Sequence, residues 1–250
     1  MLAPMAAVLG IDIGGSGIKS NLVDPENGSL LAERFRIDTP QPSLPEAVAG
    51  VIGAMVEHFQ YEGRVGCTFP AVVKDGITLS AANVDQSWVG YPAAELFSKV
   101  TGQEVIVVND ADAAGVAEIS FGAGRGRTGV VIALTLGTGI GSAVFVDGRL
   151  LPNSEFGHLQ FAGHLSVEDW AAASVKDTEG LSWKEWAARL DAFLNHLHLV
   201  LSPDLLILGG GVSRRFEKWS SYLTVPVEVV PAELRNEAGI VGAAVLASRT

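Results

Sequence analysis

The sequence predicts an α/β protein of two similar lobes. Short apolar runs of strand length alternate with segments of helical period, which is the pattern of sheets flanked by helices. An apolar run, a glycine turn and a second apolar run occur at Leu9–Ser20 and return at Leu136–Ser142, roughly 120 residues further on. Gly17-Ile18-Lys19-Ser20 pairs with Gly139-Ile140-Gly141-Ser142, and Ser29-Leu30-Leu31 with Arg149-Leu150-Leu151. Asn109-Asp110-Ala111 and Asn236-Glu237-Ala238 likewise each precede a small-residue helix. Two glycine turns in equivalent positions suggest two lobes facing one cleft; chance likeness of Gly/Ala-rich strands is the competing explanation. The lobes are expected at 1–108, completed by a C-terminal helix 238–250, and at 109–237.

The elements follow in order. Ala7–Ile13 and Ile18–Val23 read as strands around the first turn, and Leu30–Ile37 as a third in an antiparallel meander. After the proline-rich loop Thr39–Pro45, apolar residues at helical spacing predict a helix over Glu46–Phe59. Val65–Phe69 is a short buried strand, Lys74-Asp75-Gly76 a hairpin turn, Ala93–Val100 a helix, Glu104–Val108 a strand and Ala111–Ser120 an alanine-rich helix. In the second half, Val130–Leu136 and Ser142–Val146 are strands, and Asp147-Gly148 turns into Arg149–Leu151. Ser182-Trp183-Lys184-Glu185 is a capping box opening a helix through Val200. Pro203–Leu208 is a buried strand, and Val212–Tyr222 and Ala238–Ser248 are expected helices.

The bulk numbers exclude several classes. A chain of 250 residues, 48% hydrophobic and 18% charged, is globular and can build proper cores. Seventeen basic against 28 acidic residues, a net charge of −11, argue against nonspecific nucleic-acid or anionic-membrane binding. The single Cys67 excludes an internal disulfide framework and a cysteine-rich zinc site, and reads as a buried free thiol. The first basic residue is Lys19, so no signal peptide is expected, and the localisation expected is cytoplasmic. The charge-free window Thr128–Val146 is interrupted by Gly129, Gly137, Gly139 and Gly141, which fits two strands around a turn better than a membrane span.

The first turn carries chemistry. A glycine-rich turn lets backbone N–H groups approach a phosphate closely, and Asp12, ending the first strand, could hold a metal ion beside it. Most glycine turns are only turns, and Asp12 read alone is equally a turn-capping carboxylate.

The full set of motifs resembles the actin/hexokinase/Hsp70 superfamily, and within it the ROK (repressor, open reading frame, kinase) sugar kinases. Asp12-Ile13-Gly14-Gly15 is similar to that family's first phosphate motif, Leu136-Gly137-Thr138-Gly139-Ile140-Gly141 to its second, and Leu208-Gly209-Gly210-Gly211-Val212-Ser213 to its nucleotide-side motif. Ala81–Trp88, Asn109–Gly115, Pro152–Leu159, Val230–Leu234 and Ala238–Gly242 resemble the branch of polyphosphate-using glucokinases. The resemblance implies two ribonuclease-H-like (actin/hexokinase-type) lobes, each a mixed β-sheet flanked by helices, with an active-site cleft between them. It implies phosphoryl transfer from polyphosphate, or also ATP, to the 6-hydroxyl of glucose. A strictly ATP-dependent hexokinase of the same family is the alternative.

The resemblance also implies roles. Asp110 is the expected general base, set at a strand end; a helix N-cap is the other reading of that carboxylate. Asn83, Asn109, Asp110, Glu155 and His158 are expected to hold the sugar, with Glu168 and Asp169 competing for one further place. Asp12, Gly14, Gly15, Ser16, Gly17 and Lys19 from one half, and Gly137, Thr138, Gly139, Gly210 and Gly211 from the other, are expected at the phosphates. Mg²⁺ is the expected cofactor, on Asp12 directly or through water. Most ROK kinases carry a cysteine-rich zinc loop after the histidine; Gln160–Ser166 has no cysteine, so no zinc site is expected. Family members are often dimers, and a homodimer is expected. A polyphosphate donor needs a basic track, for which Lys19, Arg125, Arg127, Arg214, Arg215 and Lys218 are candidates, although each taken singly is more simply a solvated surface charge.

Overall fold

The computed structural model describes residues 7–81 and 84–249. Strands β1 (Val8–Ile13) and β2 (Ile18–Val23) pair antiparallel around the first glycine turn, with Asp12 opposite Lys19. The third strand is shorter than the sequence suggests: β3 is only Phe35–Ile37. Leu30 makes an isolated bridge to Val23, and then the Asn21 side chain takes over from the ladder. Its Nδ2 donates to the Ala32 carbonyl at 2.9 Å and its Oδ1 accepts the Ala32 N–H at 3.1 Å. Helix α1 (Pro45–His58), with proline in its first turn, leads to β4 (Val65–Phe69), buried throughout. The hairpin β5 (Val73–Lys74) and β6 (Ile77–Thr78), helix α2 (Ala93–Thr101), strand β7 (Val105–Asn109) and helix α3 (Asp110–Phe121) follow.

The second half repeats the plan. Strands β8 (Val130–Leu136), β9 (Ile140–Val146) and β10 (Arg149–Leu151) form a meander around the second glycine turn. Two short helices, α4 (Glu168–Ala171) and α5 (Ala173–Thr178), precede α6 (Trp183–Leu201), whose capping box is formed on both sides by Ser182 and Glu185. Strand β11 (Leu205–Gly209) is wholly buried and β12 (Glu228–Pro231) lies at the edge. The segment expected as one helix over Val212–Tyr222 is instead two stretches of 3-10 turn, Gly211–Lys218 and Ser220–Tyr222. Arg215 leaves helical geometry at φ −125°, and the Trp219 indole N–H donates to the Val212 carbonyl at 3.2 Å, an acceptor that an α-helix needs for its own ladder. Helix α7 (Ala238–Arg249) ends the fold.

The chain divides into two compact units, Met1–Ala117 with Glu237–Thr250, and Glu118–Asn236. The first has the sheet order β3-β2-β1-β4-β7 and the second β10-β9-β8-β11-β12. In each, the first three strands in sequence run antiparallel and the last two join in parallel. These are the two ribonuclease-H-like sheets that the sequence led us to expect. In the first unit the core joins β1 and β4 to α1 and α2 through Ile11, Cys67, Phe69, Ile52 and Phe97. In the second it joins β8 and β11 to α6 through Leu134, Leu206, Trp186 and Phe193, with Trp219 packed edge-on against Trp186. Cys67 is free and buried, and burial pushes its thiol pKa up.

Helix α7 lies unusually close to the first sheet, on register-paired glycines. A Cβ on Gly10 would stand 2.1 Å from the Ile240 carbonyl oxygen, and one on Gly66 would stand 2.0 Å from that of Ala243. The first turn of α7 thereby reaches the end of β1, where a Cβ on Gly239 would meet the Asp12 carboxylate at 2.7 Å.

Candidate active site

The first unit presents a glycine turn two of whose N–H donors, those of Gly15 and Ser16, have no partner among the described residues. Gly14 N–H donates to the Gly17 carbonyl at 3.2 Å, closing the turn. The other carbonyls are all claimed from the chain that follows β3 or from β3 itself. Thr39 Oγ1 donates to Gly14 O, Gln41 Nε2 to Gly15 O at 3.3 Å and Arg36 Nη2 to Ser16 O at 3.0 Å. Gly15 and Ser16 are exposed, and their N–H groups have no partner among the described residues. Asp12 lies below this turn. Its Oδ1 accepts from Thr68 Oγ1 at 3.0 Å, and Thr68 in turn accepts the Ile13 N–H at 3.0 Å. Its Oδ2 lies 3.6 Å from Lys19 Nζ. Thr68 is absent from the residues expected at this site, yet a threonine inside the buried run Val65–Phe69 is the kind of polar exception that marks an anchoring role.

Asn109 and Asp110 sit where β7 becomes α3. Asn109, not Asp110, is the cap: its Oδ1 accepts the Asp112 N–H at 2.9 Å, while its Nδ2 donates to Ala71 O at 3.0 Å. Asp110 stands in the first turn of α3, half-buried, and its Oδ1 accepts the Ala111 N–H at 2.9 Å. Asn83 lies outside the described residues.

In the second unit, Gly137, Thr138 and Gly139 turn between β8 and β9. Gly137 N–H donates to Gly139 O at 3.0 Å, as Gly14 does to Gly17. Ser174 at the start of α5 holds the other two carbonyls, through its N–H to Gly137 O at 3.0 Å and its hydroxyl to Thr138 O at 2.7 Å. Gly137 and Thr138 are exposed. Gly210 has φ +84° and presses against this turn's root, where a Cβ would stand 2.1 Å from Leu136 O. Gly211 is exposed and open, with Ser213 bonded back to Gly210 O at 2.8 Å.

Glu155, His158 and Glu168 form one cluster. His158 Nδ1 is 3.4 Å from Glu168 Oε1, and its Nε2 is 3.8 Å from Glu155 Oε2. Glu168 Oε2 accepts the Ile140 N–H at 3.0 Å, which ties the cluster to the second glycine turn. Gly157 makes room: a Cβ there would lie 2.3 Å from Ile140 O. Ser142 and Ser154 exchange hydroxyl-to-carbonyl bonds at 2.6 and 3.0 Å and pin the loop that brings Glu155 in. Burial, with the neighbouring Glu168 charge, raises the Glu155 pKa against the opposing pull of His158. Asp169 is exposed and bonds to no member of the cluster. Two carboxylates with an imidazole between them suit neighbouring hydroxyls, which need both acceptors and donors.

Among the candidate basic residues, Arg127 is paired with Glu228 at 2.7 Å. Arg125, Arg214, Arg215 and Lys218 are exposed and form no ion pair with described residues. No group of three or more His, Cys, Asp or Glu among the described residues could hold a metal. No described helix is long and apolar enough to cross a membrane.

Comparison with known proteins bears directly on these features. The chain is 48% identical over 236 residues to a polyphosphate glucokinase of Mycobacterium tuberculosis, covering 94% of this chain and 89% of that protein. An inorganic polyphosphate/ATP-glucomannokinase from Arthrobacter sp. strain KM superposes with a TM-score of 0.92 at 46% identity, covering 98% of this chain and 99% of that one. A ROK family glucokinase from Streptomyces griseus, solved with glucose and AMPPNP, gives a TM-score of 0.82 at 26% identity, covering 98% and 100%. The ROK family model matches residues 8–180, a span that takes in both glycine turns and the Glu155–His158–Glu168 cluster, and the chain belongs to that family.

Proposed function

We propose that the protein transfers the terminal phosphoryl group of inorganic polyphosphate, and also of ATP, to the 6-hydroxyl of glucose. The observation that carries this reading is Glu168, one carboxylate shared by a polyol-suited cluster and a glycine turn. Its Oε1 faces His158 while its Oε2 holds the Ile140 N–H where that turn ends. The similarity to a polyphosphate glucokinase and to a polyphosphate/ATP-glucomannokinase supports both substrates.

Glu155, His158 and Glu168 bind sugar hydroxyls, and Glu168 rather than Asp169 takes the further place. Asn83 and Asn109 complete the sugar contacts. Asp110 accepts the proton of the 6-hydroxyl as its oxygen attacks the terminal phosphorus. The bond from that phosphorus to the bridging oxygen breaks, and a polyphosphate one unit shorter, or ADP, leaves. Little covalent work falls to the protein, so the turns at Gly14–Gly17 and Gly137–Gly139, with Lys19, Gly210 and Gly211, act by positioning phosphates and offsetting their charge. Asp12, at the end of β1 beside the first glycine turn, with its Oδ1 held by Thr68 and its Oδ2 toward Lys19, is the carboxylate that would hold a magnesium ion, directly or through water. Bound there, the ion would supply charge neutralisation to the donor phosphates. We further propose a homodimer, which light scattering tests, with a cytoplasmic location, which fractionation of the cell tests.

The decisive assay gives the purified protein glucose and Mg²⁺ with either polyphosphate or ATP. Glucose 6-phosphate forms from both. Product from ATP alone replaces the reading with a strictly ATP-dependent hexokinase.

A further inference from the structure

The segment from Arg36 to Gln41 has no assigned role, yet it supplies a hydrogen-bond donor to each of three consecutive carbonyls of the first glycine turn. Thr39, largely buried, takes Gly14 O; Gln41 takes Gly15 O at 3.3 Å; Arg36 takes Ser16 O at 3.0 Å. Arg36 is itself fixed. Its Nη1 is 2.7 Å from Asp38 Oδ1, and its guanidinium lies flat over Gly17, where a Cβ would come within 2.6 Å. A peptide plane held by its oxygen has its N–H aimed the opposite way. With the oxygens of Gly14 and Gly15 drawn toward Thr39 and Gln41, the N–H groups of Gly15 and Ser16 are turned outward and have no partner among the described residues, while Arg36, on Ser16 O, holds the next plane, which carries the Gly17 N–H. Glycines otherwise allow many orientations of these planes, and freezing them in the bound one is costly unless it is done in advance.

We infer that Arg36, Thr39 and Gln41 are positioning residues for phosphoryl transfer, holding the first glycine turn in its phosphate-accepting conformation. The inference rests on the reading of that turn as a donor-phosphate site. The second turn is built the same way from different residues: Ser174 alone holds Gly137 O and Thr138 O. That two turns of unlike sequence surroundings both have their carbonyls tied back is what a shared demand on the N–H groups predicts.

The test measures steady-state kinetics with ATP and with polyphosphate, alongside glucose binding in the absence of donor. Thr39→Val keeps the side-chain shape and removes the hydroxyl; Gln41→Ala and Arg36→Ala remove the exposed tethers. Each raises the donor KM about tenfold, the scale expected for losing one such bond. Glucose affinity stays near that of the parent, and Thr39→Ser restores the donor KM. Gly15→Ala is the control for the underlying reading, since a Cβ there meets nothing within 4 Å in the protein and only a bound phosphate would feel it. If Gly15→Ala leaves the donor KM unchanged, the turn is not the donor site. If Gly15→Ala raises it while all three tether variants do not, the turn binds phosphate and the positioning role is overturned. A rise in glucose KM equal to that in donor KM also overturns it, because it marks general loosening of the unit.

Discussion

At the end of β7, Asn109 and Asp110 divide two tasks that compete for one side chain. Asn109 spends its oxygen on the Asp112 N–H and a donor on Ala71 O, and so fixes the entry to α3. The cap thus falls to Asn109, while Asp110 Oδ1 accepts the neighbouring Ala111 N–H at 2.9 Å. Asp110→Ala is expected to lower kcat by roughly 10² to 10⁴ while the circular dichroism spectrum and melting temperature stay close to the parent. Near-normal turnover in that folded variant removes Asp110 from the role of base. Asn109→Ala is expected to lose about 1 kcal/mol in urea unfolding from the missing cap and, as a sugar contact, to raise the glucose KM as well. Glu155 makes a pH prediction. Its pKa is raised in the folded protein by burial first and by Glu168 second, against the pull of His158. The folded state therefore holds the proton more tightly than the unfolded chain. Its stabilising contribution is full below the unfolded value near 4.5 and is lost as pH rises through the higher folded value. Glu155→Gln is expected to gain stability relative to the parent as pH rises through that window, measured by urea unfolding at several pH values. A constant difference across the window refutes the shift.

At the scale of elements, α7 approaches the first sheet too closely to admit a side chain at Gly10 or Gly66. Gly66→Ala drives a methyl into the Ala243 carbonyl, at 2.0 Å, with backbone on both sides, so nothing flexible can yield. A loss of about 3 kcal/mol is expected, at the upper end for overpacking. Gly50 on the exposed side of α1 meets nothing within 4 Å, and Gly50→Ala is expected to gain about 0.5 to 1 kcal/mol by relieving the glycine penalty in a helix. Chemical unfolding of the two variants should move in opposite directions. The contrast also shows what a sequence can reveal. Strands, helices and both glycine turns announce themselves by period and composition, and the capping box at Ser182 is read directly from its spacing. The failures have local causes. Asn21 ends the β2–β3 ladder with a side chain acting as backbone, and Trp219 takes the carbonyl that a helix after Gly211 requires. Neither partner is near enough in sequence to be guessed. At the site, Glu155 and His158 are three apart and form a visible motif, whereas the sequence leaves Glu168 and Asp169 in competition and only the fold brings Glu168 to His158. Arg36, Thr39, Gln41 and Ser174 act through backbone oxygens, which leave no pattern in side-chain types.

For the whole molecule, the outstanding tension is electrostatic. A protein of net charge −11 is proposed to bind a polyanion longer and more highly charged than ATP. Mean charge repels such a donor, so attraction must come from local cationic groups acting within about 10 Å at ordinary salt. Arg127 is neutralised by Glu228, whereas Arg214, Arg215 and Lys218 stand exposed on one short stretch that follows the Gly209–Gly211 turn. The irregular geometry of that stretch, broken at Arg215, spaces its cations differently from the single face of an α-helix. A chain of phosphates can engage several of these cations at once, while the three phosphates of a nucleotide reach fewer. Replacing all three by alanine is expected to raise the KM for long polyphosphate about tenfold and the KM for ATP by less than about twofold, with the polyphosphate effect shrinking as salt is added. Equal changes for both donors would place these residues at a shared phosphate subsite, and no change for either would leave them as solvated charges. Since each residue is exposed and makes no ion pair with described residues, the triple variant should fold as the parent does, and the kinetics alone decide.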